Sequence, residues 1–400
     1  MSKKVCITGV GVNCAIGNNS SECFSALKNG SHGISKLTAL DSIFKDKILV
    51  GELKLSNEEL NHLTNLKNIK TNSRGVLMAI LAVKEALHEA QLSPKELVNC
   101  ALISGTSVGG MELFEKGYPF VLSNNLQNPK MYFSEHDCGN INSKIASEFG
   151  IKAYLSTIST ACSSSANAIL LGTRLIQSGI VDRAIVGGSD CLSKFTINGF
   201  NTLGILDEEH TKPFDMERRG LNLGEGAAYL VLEAEEVCRD KNILGVVAGY
   251  GNSNDAFHQT ASSVEGTGSK LSIKKAFESA GIESNEIDYI NTHGTGTPNN
   301  DLSESNAMIE LFGKETIPPF NSLKPYTGHT LAACGSIEAI FSLFSINSGI
   351  LFPTLNFKNP IQETGLLPVY SLMKNQEINT VLSNSFGFGG NCTSLIVSKY

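Results

Sequence analysis

No run of like charge, no low-complexity stretch and no heptad seam marks the 400 residues of this chain. Positive charge is scarce: 32 Lys and Arg stand against 39 Asp and Glu, a net charge of -7. Neutralising a phosphate backbone needs a basic surface, so a nucleic-acid partner is not expected. No stretch reads as the roughly 18 apolar residues that cross a bilayer, so no membrane association is expected either. Two lysines precede an apolar segment at the start, as in a signal peptide. Gly9, Gly11, Asn13 and Gly17 interrupt that segment, and "KKVCITGVG" reads better as a first strand entering a glycine loop. The ten cysteines include no CxxC pair and no Cys/His spacing typical of a metal site. That argues against a disulfide framework and a structural zinc, and for reduced thiols in a cytoplasmic protein. Most should be small core residues.

What the chain does contain is repetition. "AVKEALHEAQLSPKELVNCALISGTS" (82–107) resembles "SIKKAFESAGIESNEIDYINTHGTGT" (272–297), with Lys84, Ala86, Ala90 and Glu96 matching Lys274, Ala276, Ala280 and Glu286. Each reads as an amphipathic helix, a turn, and a strand ending in a Gly/Thr loop. "ACSSSANAILLGTRLIQSGI" (161–180) resembles "ACGSIEAIFSLFSINSGI" (333–350), and "VCITGVG" more faintly resembles "VVAGYG". The matches keep their order. The chain therefore reads as an internally duplicated α/β protein, with halves 1–240 and 241–400 and a boundary near 235–245. Strands alternate with helices, so mixed or mostly parallel sheets with helices on their faces are expected. The segment near 107–150 has no counterpart and reads as an insertion that caps a site or builds a subunit contact.

Four stretches carry chemistry. In "STACSSSANA", Cys162 stands where a small-residue turn becomes an apolar helix. The unpaired N–H groups of a helix start stabilise a thiolate and can hold an oxyanion, so a lowered pKa is expected there. A small buried structural thiol is the competing reading. His293 ends the strand of "IDYINTHGTGTPNND", with Gly294 and Gly296 turning the backbone after it. In "NSLKPYTGHTLAACGSIEAI", His329 precedes the helix that pairs with the Cys162 helix in the repeat. Approximate two-fold symmetry would bring the two helix starts together and point His329 at Cys162. Glu338 is costly to bury unless paired, and Lys324 is its candidate partner. The fourth stretch is "SNSFGFGGNCTS", where Phe386 and Phe388 could gate an apolar pocket. One thiol and two neutral histidines point to acyl transfer through a thioester.

"STAC", "THGTGTPNND", "KPYTGHTLAACG" and "NSFGFGGN", in this order, resemble the β-ketoacyl-[acyl-carrier-protein] synthases of the synthase I/II type. The resemblance covers essentially the whole chain. It implies the thiolase-like fold, layered α-β-α-β-α. It implies that Cys162 takes an acyl chain from acyl carrier protein, and that His293 and His329 promote decarboxylation of malonyl-carrier protein and stabilise the enolate. It implies an oxyanion hole from the N–H groups of Cys162 and Phe388, with Phe388 as gate, and Lys324 and Glu338 supporting the histidines. No metal or organic cofactor is implied. A homodimer is expected, or a heterodimer with a chain-length-factor-like homologue. Some positions depart from the pattern: Ser163-Ser164-Ser165 looks more like polyketide ketosynthases, Ala332 stands for a glycine and Cys334 for an alanine, and "LNLGEG" replaces a commoner variant. A type II polyketide or aryl polyene pathway therefore stays open beside fatty acid synthesis. The alternatives are a non-catalytic chain-length-factor-like subunit and a degradative thiolase using Cys392 as its base. For the acidic carrier protein, "LKNIKTNSRG" offers Lys67, Lys70 and Arg74 on one helical face as a candidate dock.

Overall fold

The structure is a computed structural model that describes residues 3–66, 72–123 and 133–400. Ten strands are hydrogen-bonded in the order β11-β10-β12-β13-β9-β1-β8-β6-β4-β5. They are β1 (Val5–Cys14), β4 (Ala101–Gly105), β5 (Tyr154–Ile158), β6 (Arg183–Asp190), β8 (Gly226–Ala234), β9 (Gly245–Asn254), β10 (Tyr289–Asn291), β11 (Phe320–Asn321), β12 (Thr380–Gly387) and β13 (Asn391–Ser398). Three short strands, β2 (Ser35–Lys36), β3 (Leu49–Gly51) and β7 (Leu223–Gly224), form a separate sheet. The order reads the same outward from the β1–β9 junction in both directions. First comes an antiparallel hairpin-like pair, β1–β8 or β9–β13, then a further antiparallel strand, β6 or β12, then two parallel ones. The junction itself is slight, with Cys6 opposite Val246 and Ile7 opposite Gly245.

Helices cover both faces of each half. On the outside, α1 (Arg74–Glu89) packs on β1, β8 and β6, and α6 (Thr267–Ala280) packs on β9 and β13, with α7 (Pro298–Phe312) against it. Between the halves lie α4 (Ser164–Gln177) and α8 (Cys334–Ser348), which touch each other and strands of both halves. The result is five layers, helix–sheet–helix–sheet–helix, the two sheet layers being the halves of one ten-stranded sheet that meet at β1–β9. A sheet covered on both faces needs continuous apolar strands. Accordingly β1 and β8 are buried along their whole length. The outer helices sit very close to the sheet. A Cβ on Gly11 would lie 2.0 Å from the Ala82 carbonyl oxygen of α1, and one on Gly251 would lie 1.9 Å from the Ser272 oxygen of α6. Only glycine permits that approach, and the same contact is made in both halves.

One expectation needs correction. The stretch Leu331–Ser348 does have the length and hydropathy of a membrane span, 18 residues at 1.3, although Ser336, Glu338 and Gly335 break it up to the eye. It is 83% buried inside the protein. Its apolarity serves packing on strands of both halves of the large sheet, which leaves it no watery face to mark with polar residues.

Two helices flank the undescribed part of the 107–150 segment: α2 (Met111–Leu122) and α3 (Gly139–Phe149). Helix α2 packs against α5 (Lys194–Thr202), and Glu115 accepts from the Lys194 and Phe195 N–H groups at 3.0 and 2.6 Å. Beyond β5, which bonds only to β4 among the described residues, the sheet ends, with the Leu155 side chain 47% exposed.

Candidate active site

After β5 the chain turns through Ala161, whose φ of 51° places it in the left-handed region. An alanine there is strained by about 1 kcal/mol or more. The following serines hold it. Ser164 Oγ donates to the Ala161 carbonyl at 2.6 Å and accepts from Thr160 N–H at 2.9 Å, and Ser163 Oγ donates to the Thr160 carbonyl at 2.8 Å. The hydroxyls after Cys162 thus brace the turn that carries it, a role the sequence reading did not assign them. The signal was the run itself: short hydroxyl side chains favour bonding to nearby backbone.

Cys162 is buried at the head of α4. Its Sγ and ring nitrogens of His293 and His329 all lie within 4.8 Å of one another. The two imidazoles meet edge to face, centroids 5.3 Å apart, and Phe386 stands 6.0 Å from His293. His293 is fixed from behind. Its own N–H and that of Gly294 each donate to Glu304 of α7 at 2.9 Å. Glu304, at about 7, is raised by burial against those same bonds. The sequence reading did not assign it a role, although Asp301 and Glu304 share a helix face three residues apart. His329 Nδ1 accepts from Leu331 N–H at 3.0 Å. The neutral ring therefore carries its proton on Nε2.

Lys324 and Glu338 meet at 2.6 Å, both buried. Burial raises the Glu338 carboxyl while the Lys324 charge pulls it down, and Glu338 in turn raises the Lys324 ammonium against its burial. The Lys324 charge reaches the whole site. Burial first, and Lys324 second, hold His293 well below its usual value and His329 at about 3. Both are neutral near pH 7.

The thiol corrects an expectation. Burial pushes Cys162 up to about 11, against the pull of Lys324 and of the Phe388 and Cys162 backbone N–H groups. The helix start alone does not yield a resting thiolate, because complete desolvation outweighs it. The two N–H groups do converge beside the sulfur, a donor pair of the kind that can hold an oxyanion. The site opens into a cavity of about 330 Å³ lined by Phe200, Thr295, Thr297 and Phe388 among others. Phe200 of α5 stacks on Phe388 at 5.6 Å, so the 107–150 segment reaches the cavity mouth through α2 and α5. A larger cavity of about 680 Å³ lies elsewhere, beside Arg74 and Glu225, without a thiol or histidine on its wall.

The remaining residues lie apart. Cys392, on β13, is buried in an apolar cluster with Phe214 and Ile273 and is not on the wall of the Cys162 cavity. Burial holds it at about 12, the wrong state for a base. Arg74 leaves the candidate dock. Its side chain is only 11% exposed and forks onto Glu225 at 2.8–3.1 Å, with Asn57 and the Leu53 carbonyl taking its other donors. Lys67 and Lys70 lie outside the described residues.

A five-layered α/β fold with a thiol, two neutral histidines and a pair of converging N–H groups at its centre defines the thioester-condensing class of enzymes. The chain belongs to the β-ketoacyl synthase family. The family's N-terminal domain (Beta-ketoacyl synthase, N-terminal domain) matches residues 2–237, and its C-terminal domain matches residues 244–358. The chain is 33% identical to a 3-oxoacyl-[acyl-carrier-protein] synthase 2 of Staphylococcus aureus (strain COL), over 100% of this chain and 99% of that one. Among solved structures it is similar to the ishigamide ketosynthase/chain length factor, with a TM-score of 0.93 at 29% identity and 100% of both chains covered. It is also similar to AntDE:AntF, a type II PKS acyl-carrier protein in complex with its ketosynthase bound to the hexaketide, with a TM-score of 0.90 at 26% identity and 100% coverage of both chains.

Proposed function

We propose that Cys162 is the acylated nucleophile of a decarboxylating Claisen condensation that elongates a fatty acyl or polyketide chain on acyl carrier protein. The reaction class is the family's. The observation that carries the residue assignment is the meeting of the Cys162 sulfur with two neutral imidazoles inside 4.8 Å. The thiol loses its proton as its sulfur attacks the acyl thioester, and the carrier's thiol leaves with a proton in turn. The N–H groups of Cys162 and Phe388 hold the oxyanion. Malonyl-carrier protein then enters and loses CO2. His329 Nε2–H and His293 donate to the oxygen of the resulting enolate, whose carbon attacks the acyl-cysteine and expels the Cys162 thiolate, which takes up a proton from solvent to restore the thiol. Lys324 and Glu338 keep both rings neutral and in place. Phe388 gates the cavity with Phe200 stacked on it.

The site speaks against a non-catalytic chain-length-factor-like subunit, which would not need the thiol. The placement of Cys392 speaks against a degradative thiolase. The carrier protein as partner is supported by the similarity to AntDE:AntF. A dimer through the open β5 edge is supported by the exposed Leu155, and the likeness to a ketosynthase/chain length factor supports a heterodimeric version. The two halves, 1–240 and 241–400, are read as copies of one unit, on the mirrored strand order. The cytoplasm is the proposed compartment, on ten scattered cysteines with no CxxC pair. Lys67 and Lys70 remain the proposed dock. Mass spectrometry of products from purified protein, malonyl-carrier protein and a panel of acyl primers tests the function. Absence of any two-carbon extension across the panel overturns it.

A further inference from the structure

Behind the catalytic thiol lies a second set of ligand atoms. Cys334 heads α8 and points its thiol at the Cys162 carbonyl oxygen, 3.1 Å away. The Cys334 sulfur, a ring nitrogen of His293 and a carboxylate oxygen of Glu338 lie within 4.8 Å of one another, all three residues buried. Two of these groups have an atom with no hydrogen-bond partner among the described residues: His293 Nδ1 and Glu338 Oε2. Those residues are 2% and 3% exposed. Buried polar atoms are almost always paired, so two orphans on residues clustered with a thiol need an explanation. Glu338 commits Oε1 to Lys324, which leaves Oε2 for another partner.

We propose that Cys334, His293 and Glu338 form a binding site for a borderline-soft divalent cation such as Zn²⁺, and that filling it switches the enzyme off. One thiolate, one imidazole and one carboxylate make a donor set that zinc takes readily. Tetrahedral coordination at about 2.0–2.3 Å puts ligand atoms roughly 3.3–3.8 Å apart, so the three need to close by only about an ångström. On binding, the Cys334 thiol releases its proton to solvent and the metal–sulfur bond takes its place. The Lys324 ammonium opposes the incoming charge. The two anionic ligands, the Cys334 thiolate and the Glu338 carboxylate, offset it. A metal here claims His293, so decarboxylation stops while Cys162 stays untouched. Regulation of this kind rests on the functional reading above, but metal binding itself is measured without turnover. Cys162, His293 and His329 form a rival donor set of the same size, and the test must separate the two.

The experiment titrates the full-length protein with Co²⁺, reads the near-ultraviolet thiolate-to-cobalt absorption, and repeats the titration with Zn²⁺ while following condensation. Wild type is expected to take one equivalent, and its condensation to fall on the order of tenfold or more and return with EDTA. Cys334→Ala should condense at the wild-type rate, lose the absorption, and need on the order of 10–100-fold more metal for inhibition. Cys334→Ser, closer in volume, guards against a packing artefact and should behave likewise. Cys162→Ala should keep the absorption. The proposal is overturned if wild type binds no stoichiometric metal, if Cys162→Ala abolishes the absorption, or if Cys334→Ala and Cys334→Ser retain it. If the absorption follows Cys334 but wild type condenses nothing, the metal site stands and the functional reading falls.

Discussion

Ser165 Oγ accepts the backbone N–H of Ser336 at 2.9 Å, deep in the protein, and so bolts the start of α4 to the start of α8. One helix carries the thiol and the other follows the His329 loop. Ser165→Ala leaves that N–H buried and unpaired, which costs about 1–3 kcal/mol. Urea unfolding is expected to show that loss, and acyl loading to slow with it. Wild-type stability in the variant would mean the bolt is idle.

Alkylation of Cys162 by a neutral reagent should keep accelerating with pH well past the range of an ordinary thiol, because burial holds it at about 11. A rate that levels off near neutral pH would contradict this. After incubation with acyl-carrier protein, peptide mapping should find the acyl group on Cys162 and none on Cys392. Cys162→Ser should lose condensation by several orders of magnitude, because the hydroxyl is far harder to ionise.

His293→Ala and His329→Ala are expected to load an acyl chain yet fail to release CO2 from malonyl-carrier protein. Loss of loading with decarboxylation intact would reverse the assignment. His329 also has a stability signature. Its folded pKa, about 3, lies below the ordinary 6.5, so the unfolded chain binds the proton that the fold refuses. Its contribution is full above pH 6.5 and drains away as pH falls toward 3. Relative to His329→Asn, wild type should therefore lose about 1.4 kcal/mol between pH 7.5 and 5.5. Parallel unfolding curves for the two proteins would refute the depressed value.

A methyl group at Gly387 would stand 2.9 Å from the Cys162 nitrogen, 3.0 Å from the Thr160 oxygen and 3.2 Å from the Ala161 Cβ. All three belong to the turn at Cys162, and two are rigid backbone atoms. Gly387→Ala should misplace the turn and slow acylation by on the order of 100-fold, with little change in global unfolding. Unchanged single-turnover loading would show that the turn can give way.

Much of the site could be read because it follows from the repeat. Matching Ala161 with Ala333 aligns two helix starts, and a two-fold relation then brings His329 toward Cys162. Glu338 announced its need for a cation because it stood among Ile337, Ala339 and Ile340. Other features depend on distances that a sequence does not carry. The Cys162 thiol is raised because packing closes over it, and that closure is made by segments as remote as Phe388. Arg74 looked like a surface cation on a helical face until its partner appeared 151 residues away, at Glu225. The apolar character of Leu331–Ser348 was hidden by small polar residues whose hydroxyls bond within the helix, as Ser342 does to the Glu338 carbonyl.

If a second chain pairs at the outer edge of β5, which bonds to no strand but β4 among the described residues, that edge ties the fate of each chain to the supply of the other. A strand with unpaired donors and acceptors and an exposed leucine is a template for any other extended segment. Chains made faster than they can pair present that template to one another, so soluble yield should follow the stoichiometry of synthesis more closely than the intrinsic stability of the fold. Mass action adds a second tie: dilution uncovers the edge, and the melting temperature should climb with protein concentration. In a pathway with a dedicated second subunit, co-expression would then act as a folding aid before it acted on catalysis.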